Sequence, residues 1–431
     1  MNALVWFRNN LRVTDNAALL TAFRDNDAVM GVYCFDPRQF EKTDFGFRKT
    51  GSYRAIFLME TVQDLKTQLE TYNIPLVVGF GTPEELIPEL IDTFQLTSIH
   101  TQKEWTTEET AINTALKSRL NNDCEWHEYY DQFLFHPEDI PYTDFKDIPK
   151  VFTEFRKKCE KLTDVRECIS KPKKQTKHFD TKEISERYRF PTWDDLQLQE
   201  PELDSRSAFP FKGGESNGLQ RLEDYVWNSK AIKNYKQTRN GLIGTEYSSK
   251  FSAWLANGSL SPKTIYWEVQ KFEQEVTKNQ DTYWMIFELI WRDFFKYISL
   301  KHGDALFNLG GILNKDYTWK SSKEEQKQWI KGNTKYPFVN ANMKEIAATG
   351  WMSNRGRQNV ASFWAKELQQ DWRIGASYFE SLLIDYDVHS NWGNWQYVSG
   401  VGNDPRDRKF NIERQAERYD PNGKYVALWN S

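Results

Sequence analysis

Val29-Met30-Gly31-Val32-Tyr33-Cys34-Phe35 is an unbroken run of apolar and β-branched residues, and the sequence around it repeats the pattern. Leu4-Val5-Trp6-Phe7 precedes it; Pro75-Leu76-Val77-Val78 and Thr97-Ser98-Ile99-His100 follow. Between these runs the spacing turns helical: Ile56, Met59, Val62, Leu65 and Leu69 share one face, as do Leu86, Leu90 and Phe94. Short apolar strands alternating with helices predict an α/β domain over residues 1–132, a doubly wound parallel sheet covered on both faces. Such sheets take ligands at the carboxyl ends of their strands. No strand leads into Gly-x-Gly-x-x-Gly, and Gly79-Phe80-Gly81-Thr82 lacks the third glycine, so the dinucleotide fingerprint is absent.

From residue 133 to 209 the periodicity fades under repeated prolines, among them Pro137, Pro149, Pro172 and Pro191. This predicts a long connector lying on the surface with a few helical turns. Its basic stretch, Lys171-Pro172-Lys173-Lys174-Gln175-Thr176-Lys177, reads as a solvated charge run ahead of a nucleic-acid contact. Residues 210–431 are helical nearly to the end and show no internal repeat, which predicts an all-α C-terminal domain.

Composition narrows the function classes. The longest apolar runs, such as Leu76-Val77-Val78-Gly79-Phe80, are far too short to span a bilayer, so no membrane role is expected. The N-terminus lacks the pattern of a secretory signal. Cys34, Cys124, Cys159 and Cys168 form no Cys-x-x-Cys pair, which fits a reduced, cytoplasmic setting. The six histidines include no His-x-x-x-His pair, so no metal site is expected. A net charge of −4 leaves room only for a local basic groove if nucleic acid is bound.

One segment resists a purely structural reading. It contains Trp351-Met352-Ser353-Asn354-Arg355-Gly356-Arg357-Gln358, Asp371-Trp372-Arg373 and Leu383-Ile384-Asp385-Tyr386-Asp387-Val388-His389-Ser390-Asn391-Trp392-Gly393-Asn394-Trp395-Gln396-Tyr397. Indole, amide, guanidinium and carboxylate groups each need a partner once buried. Packed this densely, they suit the surroundings of something polar, flat and large, such as a tricyclic cofactor with a phosphate tail. Tyr247-Ser248-Ser249-Lys250-Phe251-Ser252, just ahead of a helix, offers hydroxyls, a cation and free N–H groups for phosphate, although a Ser cluster there also serves as a plain cap. Glu288 and Arg292, four apart on one helix, read better, taken alone, as a surface ion pair. Trp319, Trp372 and Trp395 read equally as packing residues.

Taken together and in order, these motifs resemble the photolyase/cryptochrome family over nearly the full length. Trp6-Phe7-Arg8-Asn9-Asn10-Leu11-Arg12, Ser248 to Ser252, Glu288-Leu289-Ile290-Trp291-Arg292-Asp293-Phe294, Gly350 to Arg355 and Asp371 to Tyr397 carry the resemblance. Lys49-Thr50-Gly51, Trp395-Gln396-Tyr397 and the ending Asn403 to Gly423 are in the style of the DASH-type cryptochromes. The resemblance implies FAD in the helical domain. Tyr235 and Ser248, Ser249, Lys250, Phe251 and Ser252 would hold its phosphate and ribitol portion. Glu288, Trp291 and Arg292 would line the floor between flavin and substrate. Arg357 and Asp385 would pair beside the ring system, with Tyr386 and Asp387 close by. Asn391 would face flavin N5, where an amide favours protonated, reduced flavin over a bare anionic radical. Trp395, Trp372 and Trp319 match the chain that carries an electron from the surface.

In the family, light drives electron transfer from reduced FAD to a cyclobutane pyrimidine dimer. Glu288 and Asn354 would contact the lesion, Trp291 would stack on it, and Arg239, Arg355 and Arg408 would bind neighbouring phosphates. Two departures bear on substrate: Gln358 stands where duplex-active relatives usually have Met, and Tyr397 where they have Trp. A more polar pocket predicts a preference for dimers in single-stranded DNA, with RNA or duplex DNA bound more weakly. Asn10 also replaces a usual Asp. Glu104 matches a pterin-binding carboxylate, implying methenyltetrahydrofolate as an antenna. The expectation is a monomeric, light-driven repair enzyme; the alternative is a blue-light photoreceptor that signals through partners.

Overall fold

The computed structural model describes residues 1–121 and 123–431. Its first part is a five-stranded parallel sheet built from β1 (Asn2–Trp6), β2 (Ala28–Phe35), β3 (Leu76–Phe80), β4 (Ser98–Gln102) and β5 (Glu125–Tyr129), in the order β3-β2-β1-β4-β5. Val5 pairs with Gly31 on one side and His100 on the other. Alternate strand residues face opposite layers. Ala3, Val5, Val29 and Leu76 pack on α1 (Ala17–Asp25) and α2 (Ser52–Glu70). Leu4, Met30, Val77 and Ile99 pack on α3 (Pro83–Phe94) and α4 (Thr107–Lys117). This is the doubly wound sheet expected, with one strand more. β5 lies at the edge, and Glu125-Trp126-His127-Glu128 is too polar to read as an apolar run.

The chain winds outward from β1 through β2 to β3, then returns to the far side of β1 as β4. Between β1 and β4 the winding reverses, so their carboxyl ends leave a crevice. Arg8, Asn9 and Glu104 follow those two ends.

The connector does not lie on the surface throughout. Phe133, Leu134, Phe135, Ile148, Phe152 and Phe155 are buried in the core of the helical part, with α5 (Phe152–Leu162) among them. Asp293 accepts hydrogen bonds from Leu134 N and Phe135 N, and the Tyr297 hydroxyl donates to Phe135 O. The prolines that break the helical pattern thus leave backbone groups free for the next domain to satisfy. Within the basic stretch, Gln175 is buried and accepts from Val29 N at the head of β2. α6 (Lys182–Arg187) packs Ile184 below the sheet.

The remainder is helical: α7 (Glu215–Glu223), α8 (Tyr235–Thr238), α9 (Ser252–Ala256), α10 (Pro262–Glu275), α11 (Gln280–His302), α12 (Lys323–Ile330), α13 (Pro337–Thr349), α14 (Asn354–Ser362), α15 (Trp372–Leu382), α16 (Val388–Ser399), α17 (Ile412–Tyr419) and α18 (Lys424–Asn430). Among the described residues no helix is long and apolar enough to cross a membrane. The two parts are stitched together by buried polar contacts. Glu215 accepts from Val13 N and Thr14 N, Arg12 donates to Gly258 O, and Trp105 donates to Ser299 and stacks on His389.

Candidate functional site

Three helix starts aim the Trp-rich segment inward. Ser353 caps α14, Asp371 caps α15 and Asp387 caps α16, each side chain accepting a backbone N–H of the first turn. Gly350 ends α13 in the left-handed region at φ +66°, and its carbonyl accepts from Ile384 N. These turns bring Asn354 and Arg357 of α14 against Asp385 and Asn391. Two adjoining cavities, of about 270 and 100 Å³, share the walls Asn354, Arg357, Asp385, Asp387 and Ser390.

The larger cavity is lined by Tyr235, Arg239, Ser248 to Ser252, Glu288 and Arg292. Ser248 to Phe251 form a loop ahead of α9, held by Arg221 of α7, which donates to Ser248 O and Ser249 O. Sequence reasoning missed Arg221, whose partners lie 27 and 28 residues downstream. Lys250 sits in the left-handed region at φ +67°, 2% exposed, and its ammonium has no hydrogen-bond partner. It faces the Tyr247 ring at 3.1 Å and the Trp351 ring at 5.1 Å. Burial pushes its pKa well below the usual lysine value.

Asp385 is buried and holds Arg357 at 2.9 and 3.0 Å, while Ser252 Oγ donates to it at 2.7 Å. Asp387 pairs with Lys296 at 2.7 Å, and this ammonium holds its carboxyl below the usual range against the effect of burial. Asn391 donates through Nδ2 to Ala376 O at 3.0 Å, which leaves Oδ1, an acceptor, for the smaller cavity. The fixed amide therefore offers acceptance to an N–H in the cavity.

Not every sequence-derived position lands as expected. Glu288 pairs with Arg239 at 2.6 Å instead of with Arg292, so Arg239 is engaged within the cavity. Burial raises the Glu288 pKa despite the opposing pull of Arg239. Arg292 lines the cavity, but its guanidinium donates to Gln132 O and Leu255 O and ties α11 to the last residue of the α/β part and to α9. Trp291 does not line either cavity. Its ring stacks on Phe152 at 3.7 Å and on Phe295 at 5.7 Å, because the buried connector brings Phe152 to that face of α11. Tyr397 meets the Trp291 ring edge-on at 6.1 Å.

Gln358 and Tyr397 each hold an arginine. Gln358 Oε1 accepts from Arg355, which also donates to Asn240 and lies over the Tyr419 ring. The Tyr397 hydroxyl accepts from exposed Arg408, which also pairs with Asp404. Trp395 is buried and lines the smaller cavity; Trp372 is buried and donates to Leu309 O; Trp319 is partly exposed. The Trp395 ring lies where Gly375 leaves space, since a Cβ there would sit 2.3 Å from it.

A separate cavity of about 230 Å³ opens at the strand crevice, between the two parts of the molecule. Glu104, 7% exposed, lies in it and accepts from Asn9 and Gln102. Glu109 beside it is pushed up to about 7 by burial and by the neighbouring Glu104 charge. Arg54, stacked on Tyr386, keeps one buried guanidinium nitrogen without a partner in the same cavity. Tyr386 and Asp387 line this cavity and the smaller of the other two, so the segment around them is a shared wall. Asn10 is fully buried and accepts from Arg8 N, holding the turn after β1.

Comparison with known proteins places these features in context. Residues 3–176 match the DNA photolyase family model and residues 284–430 the FAD binding domain of DNA photolyase. The chain is 48% identical over 430 residues to cryptochrome DASH of Gloeobacter violaceus, covering 99% of this chain and 85% of that protein. The crystal structure of Synechocystis cryptochrome superposes with a TM-score of 0.94 at 45% identity, over 99% of this chain and 88% of that one. An archaeal photolyase from Sulfolobus tokodaii, solved with two FAD molecules, gives 0.79 at 25% identity, over 100% and 90%.

Proposed function

This chain belongs to the DASH-type cryptochromes of the photolyase family, and from that premise we propose that it splits cyclobutane pyrimidine dimers in single-stranded DNA under blue or near-ultraviolet light. The carrying observation is that one pair of adjoining cavities joins unpaired Lys250, the Arg357–Asp385 pair and Asn391 to Glu288 and Asn354. The residues fit FAD. A buried ammonium without a partner calls for an anion, which the diphosphate provides. Arg357 and Asp385 would offer a fixed donor and acceptor to the ring edge, and Asn391 Oδ1 would accept a ring N–H. Bound there, FAD supplies the light absorption and the electron that leaves for the dimer and returns.

The chain's own work is positioning. Burial raises the Glu288 pKa, which favours the protonated form that would donate to a pyrimidine carbonyl. Asn354, exposed at the start of α14, presents an amide to the same substrate. A base must leave the stack to reach them. Arg355 and Arg408, oriented by Gln358 and Tyr397, are set to meet phosphates. Trp395 at the cavity wall, buried Trp372 and half-exposed Trp319 would serve as the route for an electron replacing one lost from the flavin.

For the second cavity we propose methenyltetrahydrofolate as antenna. Glu104 would accept from the pterin amino and ring N–H groups, and a relative solved with two FAD molecules supports a second chromophore in this family. The main test is to illuminate reduced holoprotein with ultraviolet-damaged oligothymidylate. Dimer loss in blue light, absent in the dark and in Glu288→Ala, supports the reading; equal loss in the dark contradicts it.

A further inference from the structure

A cavity of about 340 Å³ lies against Trp319, away from the sites above. Two of its walls are hydrogen-bond donors with no partner: Trp319 Nε1 and the side-chain amide nitrogen of Gln326, the latter only 6% exposed. A buried donor left unpaired is costly and points to a missing acceptor. Lys320 and Lys323 stand at the same cavity, exposed and without a salt bridge among the described residues. Of the two carboxylates there, Asp371 is neutralised by Arg373 at 2.8 Å, so Asp44 alone opposes the lysines. Phe45, Leu309 and Ile374 supply an apolar floor suited to a flat ring.

We propose that this cavity docks a small, flat, anionic one-electron reductant of the enediolate class and delivers its electron to Trp319. The proposal rests on the electron route through Trp395, Trp372 and Trp319. The step balances simply. Once Trp319 has passed one electron inward it is a radical cation; the docked enediolate monoanion gives up one electron and releases its remaining enol proton to solvent, becoming a radical anion, and the indole returns to its neutral closed shell with its N–H intact. Lysine charge draws the anion in, and the two unpaired donors meet its oxygens. Docking at the terminal indole makes refilling faster than chance collision allows.

The test is FAD photoreduction in the holoprotein under blue light, with ascorbate as the probe and dithiothreitol as an uncharged comparison. The rate is expected to saturate with ascorbate. Reversing both lysines, Lys320→Glu with Lys323→Glu, raises the half-saturating ascorbate concentration about tenfold and moves the dithiothreitol series far less. Gln326→Leu shifts the ascorbate series the same way. A rate linear in ascorbate, or variants that shift both reductants equally, overturns the docking site. Trp319→Phe separates this from the route beneath it: loss of photoreduction with both reductants upholds the route, and unchanged photoreduction overturns it.

Discussion

The Lys250 ammonium sits 3.1 Å from the centre of the Tyr247 ring and has no hydrogen-bond partner. A desolvated cation–π contact is worth about 2 kcal/mol. That falls short of the several kcal/mol it costs to bury an ion. The deficit closes when an anion binds. Lys250→Met is therefore expected to weaken FAD retention by about tenfold or more while stabilising the apoprotein by about 1–3 kcal/mol. FAD content and apoprotein melting temperature check both halves; unchanged FAD retention contradicts the assignment.

Asp385 holds Arg357 and receives Ser252, the first residue of α9, 133 residues earlier. Removing one member strands the other, so Asp385→Ala should cost about 3–5 kcal/mol. Denaturant titration of the apoprotein reads this directly, and FAD content should fall in parallel. A melting curve like the wild type's contradicts a structural pairing.

Glu288 gives a pH signature. Its pKa is raised by burial, so the neutral, donating form is present below that pKa and is lost as pH rises through it. Binding of dimer-containing strands should weaken as pH rises from the acid side, and Glu288→Gln, a permanent neutral donor, should flatten that dependence. A wild-type profile already flat removes the proton from the account.

Trp395 borders the smaller cavity and packs on Phe379 at 5.1 Å and Trp329 at 6.3 Å. Trp395→Phe keeps a packed ring but removes the easily oxidised indole. Photoreduction should slow about tenfold or more, while repair by chemically reduced protein stays within about twofold. Equal loss of both identifies Trp395 as a packing residue alone.

The sequence made legible whatever rests on local pattern. Apolar β2 and the long amphipathic α11 follow from periodicity. What stayed hidden depends on partners distant in the chain. β5 carries charges because an edge strand is covered on one side only. The connector reads as loop, yet Asp293 buries its backbone. Trp291 belongs to the right helix, but its orientation follows from Phe152, which periodicity does not place. The missing partner of Lys250 is visible only in three dimensions.

Gln358 and Tyr397 carry the central claim about substrate. Stacking a base is worth about 1–3 kcal/mol. Extruding it from a duplex costs a few kcal/mol. Both residues present polar atoms that hold Arg355 and Arg408, and Trp291 has given ring surface to Phe152. Such a site gains phosphate contacts and loses stacking, which favours strands already unpaired. Gln358→Met with Tyr397→Trp should raise duplex binding more than single-strand binding; FAD content must be followed, since overpacking also disturbs the site.

The most direct measurement is intact thymine recovered when reduced holoprotein is illuminated with the same dimer in single-stranded and in duplex oligonucleotides at moderate salt. Faster recovery from the single strand by about tenfold or more is expected. Equal recovery from both contradicts the substrate reading, and recovery from neither by protein that holds FAD gives the photoreceptor alternative its place.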